Sequence, residues 1–188
     1  MTMSTGDRLD RIESTLAIQQ LAARYAQAVD SRDLDTWVSL FVEDVDCGRH
    51  GKGREALRSF IDAGIRAFYR SVHFVGGHTI DFSGADSASG TVYCRAEHED
   101  GDRWVAMQLV YFDTYARRDG AWYFVKRSER AWYAVDVLER PQAVGFAGWD
   151  KHPLPMKLPR TFASWEPFWR QSDDAAIAAI TRHPAGEG

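Results

Sequence analysis

From Asp7 to Ser31 the apolar residues Leu9, Ile12, Leu16, Leu21, Tyr25 and Val29 recur at helical spacing, which predicts a long first helix. Ser4 or Thr5 stands where its cap should be. Leu34, Trp37, Val38 and Phe41 predict a shorter second helix from about Asp33, and a brief strand is expected over Val45 to Cys47. Leu57, Phe60, Ile61, Ile65 and Phe68 predict a third helix over Glu55 to Tyr69, behind the glycine-rich stretch Gly48 to Gly53. After Arg70 the period changes. Ser71–Phe82, Ser87–His98, Arg103–Tyr115 and Ala121–Val135 are rich in Val, Tyr, Phe and Trp and read as four strands. Asp100-Gly101 and Asp119-Gly120 are signals for tight antiparallel hairpins, because both central residues then take φ > 0. Helices first and a meander afterwards make an α+β domain, with helices on one sheet face.

Residues 141–188 differ from 1–140. Pro141, Pro153, Pro155, Pro159 and Pro167 break regular structure, yet Phe146, Trp149, Phe162, Trp165, Phe168 and Trp169 need burial. An arm lying on its own domain or on a neighbouring subunit satisfies both, as a structural clasp or as a pocket lid. Ala175 to Ile180 adds a short helix, and the last few residues are expected to fray.

Hairpin arithmetic places side chains. A loop over Gly84 to Ser87 pairs Ser83 with Ala88 and sets His73 opposite His98; an Asp100-Gly101 turn sets His98 beside Arg103 and Ala96 beside Val105. One sheet face then carries His73, His98, Ala96, Cys94, Val105, Met107, Leu109 and Tyr111, which resembles a ligand cavity. A slip of one residue would replace His98 by Glu97.

Asp30 ends the first helix and His73 lies in the apolar run Ser71-Val72-His73-Phe74-Val75. Each is a polar group on an element that otherwise reads as core. An unpaired buried titratable group costs several kcal/mol, so the two are expected to pair. A carboxylate against an imidazole fixes the ring and raises its basicity, which suits proton abstraction near neutral pH. Plainer roles exist: Asp30 as cap of the second helix, His73 as a hydrogen-bonded core residue, and Tyr25 as packing rather than a donor to a substrate oxygen. Lys126 and Arg127 read either as anion holders or as a solvated strand face. His50 and His78 look like loop or edge positions, and His152 and His183 lie near prolines outside the core.

Composition narrows the classes. The formal net charge of −4 and the lack of a basic stripe speak against nucleic-acid binding. No apolar run approaches membrane-spanning length, and the first residues lack the build of a secretory signal. Cys47 and Cys94 stand alone, which fits reduced thiols in the cytoplasm. No phosphate loop or metal-ligand cluster calls for a cofactor. The 7 Trp, 7 Tyr and 10 Phe fit either a well-packed core or a site for a flat apolar ligand.

Three stretches carry a resemblance: Ile18-Gln19-Gln20-Leu21 leading to Val29-Asp30, then Val72-His73-Phe74, then Tyr115-Ala116-Arg117-Arg118-Asp119-Gly120-Ala121-Trp122 leading to Lys126-Arg127. From about Ala17 to Tyr133 the chain resembles the SnoaL-like branch of the nuclear transport factor 2 superfamily, which includes scytalone dehydratase, bile-acid 7α-dehydratase and hexachlorocyclohexane dehydrochlorinase. The resemblance implies a cone-shaped α+β barrel, its curved antiparallel sheet wrapped around the N-terminal helices. It implies that Asp30 orients His73 as the base and that Tyr25 addresses the leaving oxygen. The dehydrochlorinase has Lys at that place, so halide elimination is the less expected outcome. It further implies that Arg127 faces the site, whereas the hairpin register turns Lys126, Ser128 and Arg130 inward; a β-bulge would reconcile them. His98 matches a second pocket histidine, with Met107, Leu109 and Tyr111 beside it against the substrate. The expected activity is a cofactor-independent lyase acting on a small hydrophobic, ring-containing alcohol. Dehydration is the default outcome, and cleavage of a lignin-derived diaryl diol with formaldehyde release is a close relative of it. Alternatives are a ketosteroid-type isomerase or polyketide cyclase, and a non-catalytic binding module or dioxygenase-type small subunit. A homotrimer is expected from the apolar outer sheet face and the arm.

Overall fold

Ser4 opens the first helix, α1 (Thr5–Ser31), with a capping box: its hydroxyl accepts from the Asp7 amide while the Asp7 carboxylate accepts from the Ser4 amide. The structure, a computed structural model, describes residues 3–181, so His183 and the expected fraying of the last residues lie outside it. The buried stripe of α1 is Ile18, Leu21, Ala22, Tyr25 and Val29. Leu9, Ile12 and Leu16, expected on that stripe, are more than half exposed. The sheet-facing side of those early turns is taken by polar contacts instead: Arg11 lies over the Phe82 ring and Asp10 pairs with Arg117.

Asp33, rather than Asp30, caps the next helix, α2 (Leu34–Ser39), by accepting from the Thr36 amide. The strand expected at Val45–Cys47 reduces to one bridge between Asp46 and Lys52. Helix α3 (Arg54–Ile65) ends four residues before the expected Tyr69, and Leu57 and Ile65 are its buried residues. Four antiparallel strands follow in the order β1 (Ser71–Phe82), β2 (Ser87–Asp100), β3 (Arg103–Arg118), β4 (Ala121–Asp136). Helix α1 packs against β1 and β4, the two edges, so the sheet curls around it. This is the expected cone.

The first two hairpins depart from the predicted register. Phe82 faces Ala88, one residue off, and Gly76 with Gly77 then stand opposite Tyr93 alone in a bulge. The two slips add to two, so His73 faces Ala96 and His98 faces Ser71, not each other. Because side chains alternate with period two, the predicted inner face survives. Cys94, Ala96, His98, Val105, Met107, Leu109 and Tyr111 are all buried. The second turn centres on Gly101-Asp102, with Asp100 opposite Arg103 and only Gly101 of the two at positive φ. The Asp119-Gly120 turn does have both central residues at positive φ, +50° and +80°.

In β4 the residue Val125 is inserted as a bulge between the Thr114–Lys126 and Tyr115–Phe124 pairs. It flips the parity of the residues after it, so Arg127 turns inward and Lys126, Ser128 and Arg130 do not. A second bulge at Trp132 returns Ala134 to the core. The free edge of β4 is covered twice. Leu40–Val42 bonds to Phe124, and Pro155 and Leu158 of the arm bond to Ala131. The arm therefore crosses this edge, with Trp149 buried beside His98 on the inner side and Phe162 against Phe112 and Trp132 on the outer side. Two short helices, α4 (Trp165–Trp169) and α5 (Asp174–Thr181), end the described chain. No helix among the described residues is long and apolar enough to cross a membrane.

Gly90 is required where it stands. A Cβ there would lie 2.8 Å from the Thr79 carbonyl oxygen and 3.0 Å from the Tyr115 ring. The missing side chain lets Tyr115 lie across β2 with its hydroxyl on Asp113.

Candidate active site

Helix α1 delivers Asp30 to the start of β1. The helix stops at Arg32, which takes φ +62°, and the Arg32 side chain donates to Val29 O, Ser71 Oγ and Tyr69 O. That clamp fixes the last turn of α1 against β1. Asp30 then accepts three hydrogen bonds: from His73 Nδ1 at 2.7 Å, from the His73 amide at 2.9 Å and from Ser71 Oγ at 2.8 Å. The side chains are 8% exposed for His73 and 24% for Asp30, so the pair is mostly dry. Burial pushes the Asp30 carboxyl up. The bond to His73 and its charge, with Ser71 and the His73 amide, outweigh burial and hold it below the usual carboxylate range. With Nδ1–H given to the carboxylate, Nε2 is the nitrogen left to accept a proton.

The His98 ring stands edge-on to His73, with centroids 5.6 Å apart, and packs against Phe68 and Trp149. Burial first, then the neighbouring His73 and His152, pushes His98 down to about 3, so it is a neutral imidazole across the ordinary pH range. Its Nδ1 is buried without a partner among the described residues. Deeper in the cone, Arg127 meets Asp113 in a bidentate pair of 2.9 and 2.6 Å, with side chains 4% and 0% exposed. Tyr115 donates to the same carboxylate at 2.8 Å. The guanidinium lies 4.1–4.4 Å from the ring centroids of Tyr25, Tyr111 and Phe124, and its Nη1 has no partner among the described residues. Burial chiefly pushes the phenols of Tyr25 and Tyr111 far up, and it pushes the Cys94 thiol up to about 12. All three stay protonated, Tyr25 and Tyr111 as potential donors and Cys94 as an unreactive thiol.

The residues singled out in the sequence therefore form two connected layers: Asp30, His73, His98 and Met107 above, and Tyr25, Tyr111 and Arg127 below, with Leu109 between. Two histidines that carry little signal in the sequence are placed differently. His78 sits in β1 next to its bulge, 3.1 Å from the Tyr115 hydroxyl, and His152 comes out of the arm to lie 3.3 Å from Glu129. No periodicity reveals an arm residue's target. The only hint is the conjunction of aromatic and proline residues that demands a docking surface. Among the described residues no group of three or more His, Cys, Asp or Glu side chains forms a metal site. An open groove of about 620 Å³, lined by residues including Val45, Cys47, His50, Phe60 and Arg127, does not contain Asp30 or His73.

Residues 10–128 match the SnoaL-like domain family. A gamma-hexachlorocyclohexane dehydrochlorinase of Sphingobium indicum is 29% identical over 127 residues, 64% of this chain and 81% of that protein. Among solved structures, a hexachlorocyclohexane dehydrochlorinase of Novosphingobium barchaimii superposes with a TM-score of 0.62 at 26% identity, covering 71% of this chain and 96% of the other. A proposed scytalone dehydratase of Novosphingobium aromaticivorans gives 0.60 at 25% identity, covering 70% and 92%.

Proposed function

The chain belongs to the SnoaL-like family, and on that premise we propose that it is a cofactor-independent lyase eliminating water from a small hydrophobic, ring-bearing alcohol. The supporting observation is the Asp30–His73 pair, whose 2.7 Å bond, backbone amide and Ser71 hydroxyl fix the imidazole in a mostly dry wall of the cone. The relatives support the reaction class: their names describe loss of hydrogen chloride and loss of water.

His73 Nε2 takes a proton from carbon. The C–H electrons become the new double bond, and the C–O electrons leave with the oxygen, which takes up a proton to become water. Asp30 stabilises the imidazolium that forms. The Tyr25 hydroxyl donates a hydrogen bond toward the departing oxygen, a reading supported by the Arg127 guanidinium over its ring, whose Nη1 has no partner among the described residues and draws negative charge to the same corner. Neutral His98, with Met107, Leu109 and Tyr111, holds the ring of the substrate. Positioned acid–base groups contribute ~10²–10⁴-fold each. On a diaryl 1,3-diol the same base takes a hydroxyl proton instead. The carbon–carbon bond then breaks to release formaldehyde, its electrons form the alkene, and the second hydroxyl leaves as water.

A panel of hydroxylated aromatics, diaryl diols and steroids tests this with wild type and His73→Ala, followed by alkene absorbance and formaldehyde release. Wild type turns over a panel member and His73→Ala is at least about 100-fold slower. Formaldehyde equimolar with alkene marks diol cleavage, and alkene alone marks dehydration. Equal turnover by both proteins, or none by either, removes the lyase reading in favour of a binding or scaffold role.

A further inference from the structure

A second carboxylate–imidazole pair lies beyond the stretch that matches the family. Glu129 follows the Val125 bulge on the inner side of β4, opposite Tyr111, and its charge acts on Tyr25, Tyr111 and Cys94. His152 belongs to the arm, and its Nε2 lies 3.3 Å from Glu129 Oε2. The arm is anchored at this point. Trp149 donates to Asp100 at 2.8 Å, Lys151 and Arg103 pair with the same carboxylate, and Trp149 and His152 form a bridge with rings 6.5 Å apart. The other neighbours of Trp149 include His98, at 5.1 Å between centroids, and His98 is 5.6 Å from His73. His73, His98, Trp149 and His152 thus run in sequence along one wall.

We infer that His152, held by Glu129, is a further catalytic residue of the elimination: the general acid that the arm brings to the departing oxygen. This rests on the lyase reading above. The two pairs engage opposite ring nitrogens, Asp30 at 2.7 Å from a His73 side chain that is 8% exposed and Glu129 at 3.3 Å from a His152 side chain that is 42% exposed. Asp30 holds Nδ1–H of His73 and leaves Nε2 to accept; Glu129 accepts from Nε2–H of the His152 imidazolium, which leaves Nδ1–H to donate. His73 takes the carbon proton, the C–H pair becomes the double bond, and the C–O pair leaves with oxygen. His152 Nδ1 supplies the proton that makes water, and water carries the proton on His73 back to His152 after release. The hydrogen bond to Glu129 raises the affinity of the His152 ring for its proton above that of an ordinary histidine, with burial opposing. His98, pushed down to about 3, is ill suited to that task. The other charged groups about the arm here are Asp100 on β2, Arg103 on β3, and Asp150 and Lys151 of the arm.

The test uses the full chain and two substrates: an alcohol that wild type turns over, and its analogue with chloride in place of the hydroxyl. Chloride leaves without a proton. In His152→Gln and in Glu129→Gln, turnover of the alcohol falls ~10²–10⁴-fold, and the loss on the chloride is at least tenfold smaller. His73→Ala loses both alike, because both need the base. Glu129→Gln keeps the shape of the site and decides the matter if His152→Gln fails to fold. Equal losses on the two substrates would mean that the arm only shapes the site and would overturn the inference, as would no loss on the alcohol. An active wild type with indifferent variants removes this inference alone; a wild type inert on both substrates removes the lyase reading and this inference together.

Discussion

Replacing either member of the Arg127–Asp113 pair tests whether the floor of the site is held by charge. Both side chains are essentially out of solvent, and they share two hydrogen bonds of 2.9 and 2.6 Å. Breaking such a pair from one side leaves an uncompensated buried charge, at a cost of ~3–5 kcal/mol. In a domain of this length that lowers Tm by roughly 6–20 °C, at ~2–4 °C per kcal/mol. The two single variants are not equivalent. Without Arg127, Asp113 keeps the Tyr115 hydroxyl as a donor and can take up a proton to lose its charge. Without Asp113, the guanidinium has no hydrogen-bond partner among the described residues and cannot deprotonate. Asp113→Leu is therefore the more damaging, and the double variant Asp113→Leu/Arg127→Met recovers at least ~2 kcal/mol relative to it. Urea titration followed by tryptophan fluorescence, with the four proteins of the cycle at one pH, measures the coupling. Singles costing under ~1 kcal/mol, or a double equal to their sum, would refute the reasoning. The cycle also guards the catalytic assignment: a loss of activity in an Arg127 variant means nothing until its folding is known.

Two shorter predictions concern the same core. Gly90→Ala forces a Cβ against the Thr79 carbonyl and the Tyr115 ring and costs ~1–3 kcal/mol, read by the same urea titration; a neutral effect would mean that β1 and β2 separate there at no cost. His98, held down at about 3, binds its proton more weakly in the folded than in the unfolded chain. The folded state is therefore penalised as pH falls below the ordinary histidine value of about 6.5, by up to ~1.4 kcal/mol per pH unit until its own value is reached. His98→Phe flattens the loss of stability between pH 6 and 4, and an unchanged slope would show that other groups set it.

Much of this molecule is legible in the order of its residues. The switch from helical to alternating period at Arg70 marks the change from helices to sheet, and the inner face from Cys94 to Tyr111 follows from alternation alone. That face survives a wrong register because the Gly101-Asp102 turn shifts the β2–β3 pairing by two residues, and in β1 the hairpin slip and the Gly76-Gly77 bulge also sum to two, so parity is kept. In β4 the parity is restored only at the Trp132 bulge, so between Val125 and Trp132 the first bulge exchanges Lys126 for Arg127. A bulge is set by what both strands must bury, here Phe124 and then Arg127, and no local pattern around Val125 announces it. The exposure of Leu9, Ile12 and Leu16 is hidden for a similar reason: the period fixes which residues share a face, and only the neighbours decide which face is covered. Asp30 and His73 are visible as polar residues on apolar elements. Glu129 and His152 are not, because one depends on the bulge and the other on where an irregular arm comes to rest.

The central claim is that Asp30 and His73 work as one unit on the substrate's proton. Turnover numbers for Asp30→Asn, His73→Gln and the double variant, on a single substrate of the wild type, test it most directly. Each single change is expected to lose ~10²–10⁴-fold, with the double variant no slower than His73→Gln. A His73→Gln protein with turnover close to that of wild type, or a double variant whose loss is the product of the two single losses, would contradict it.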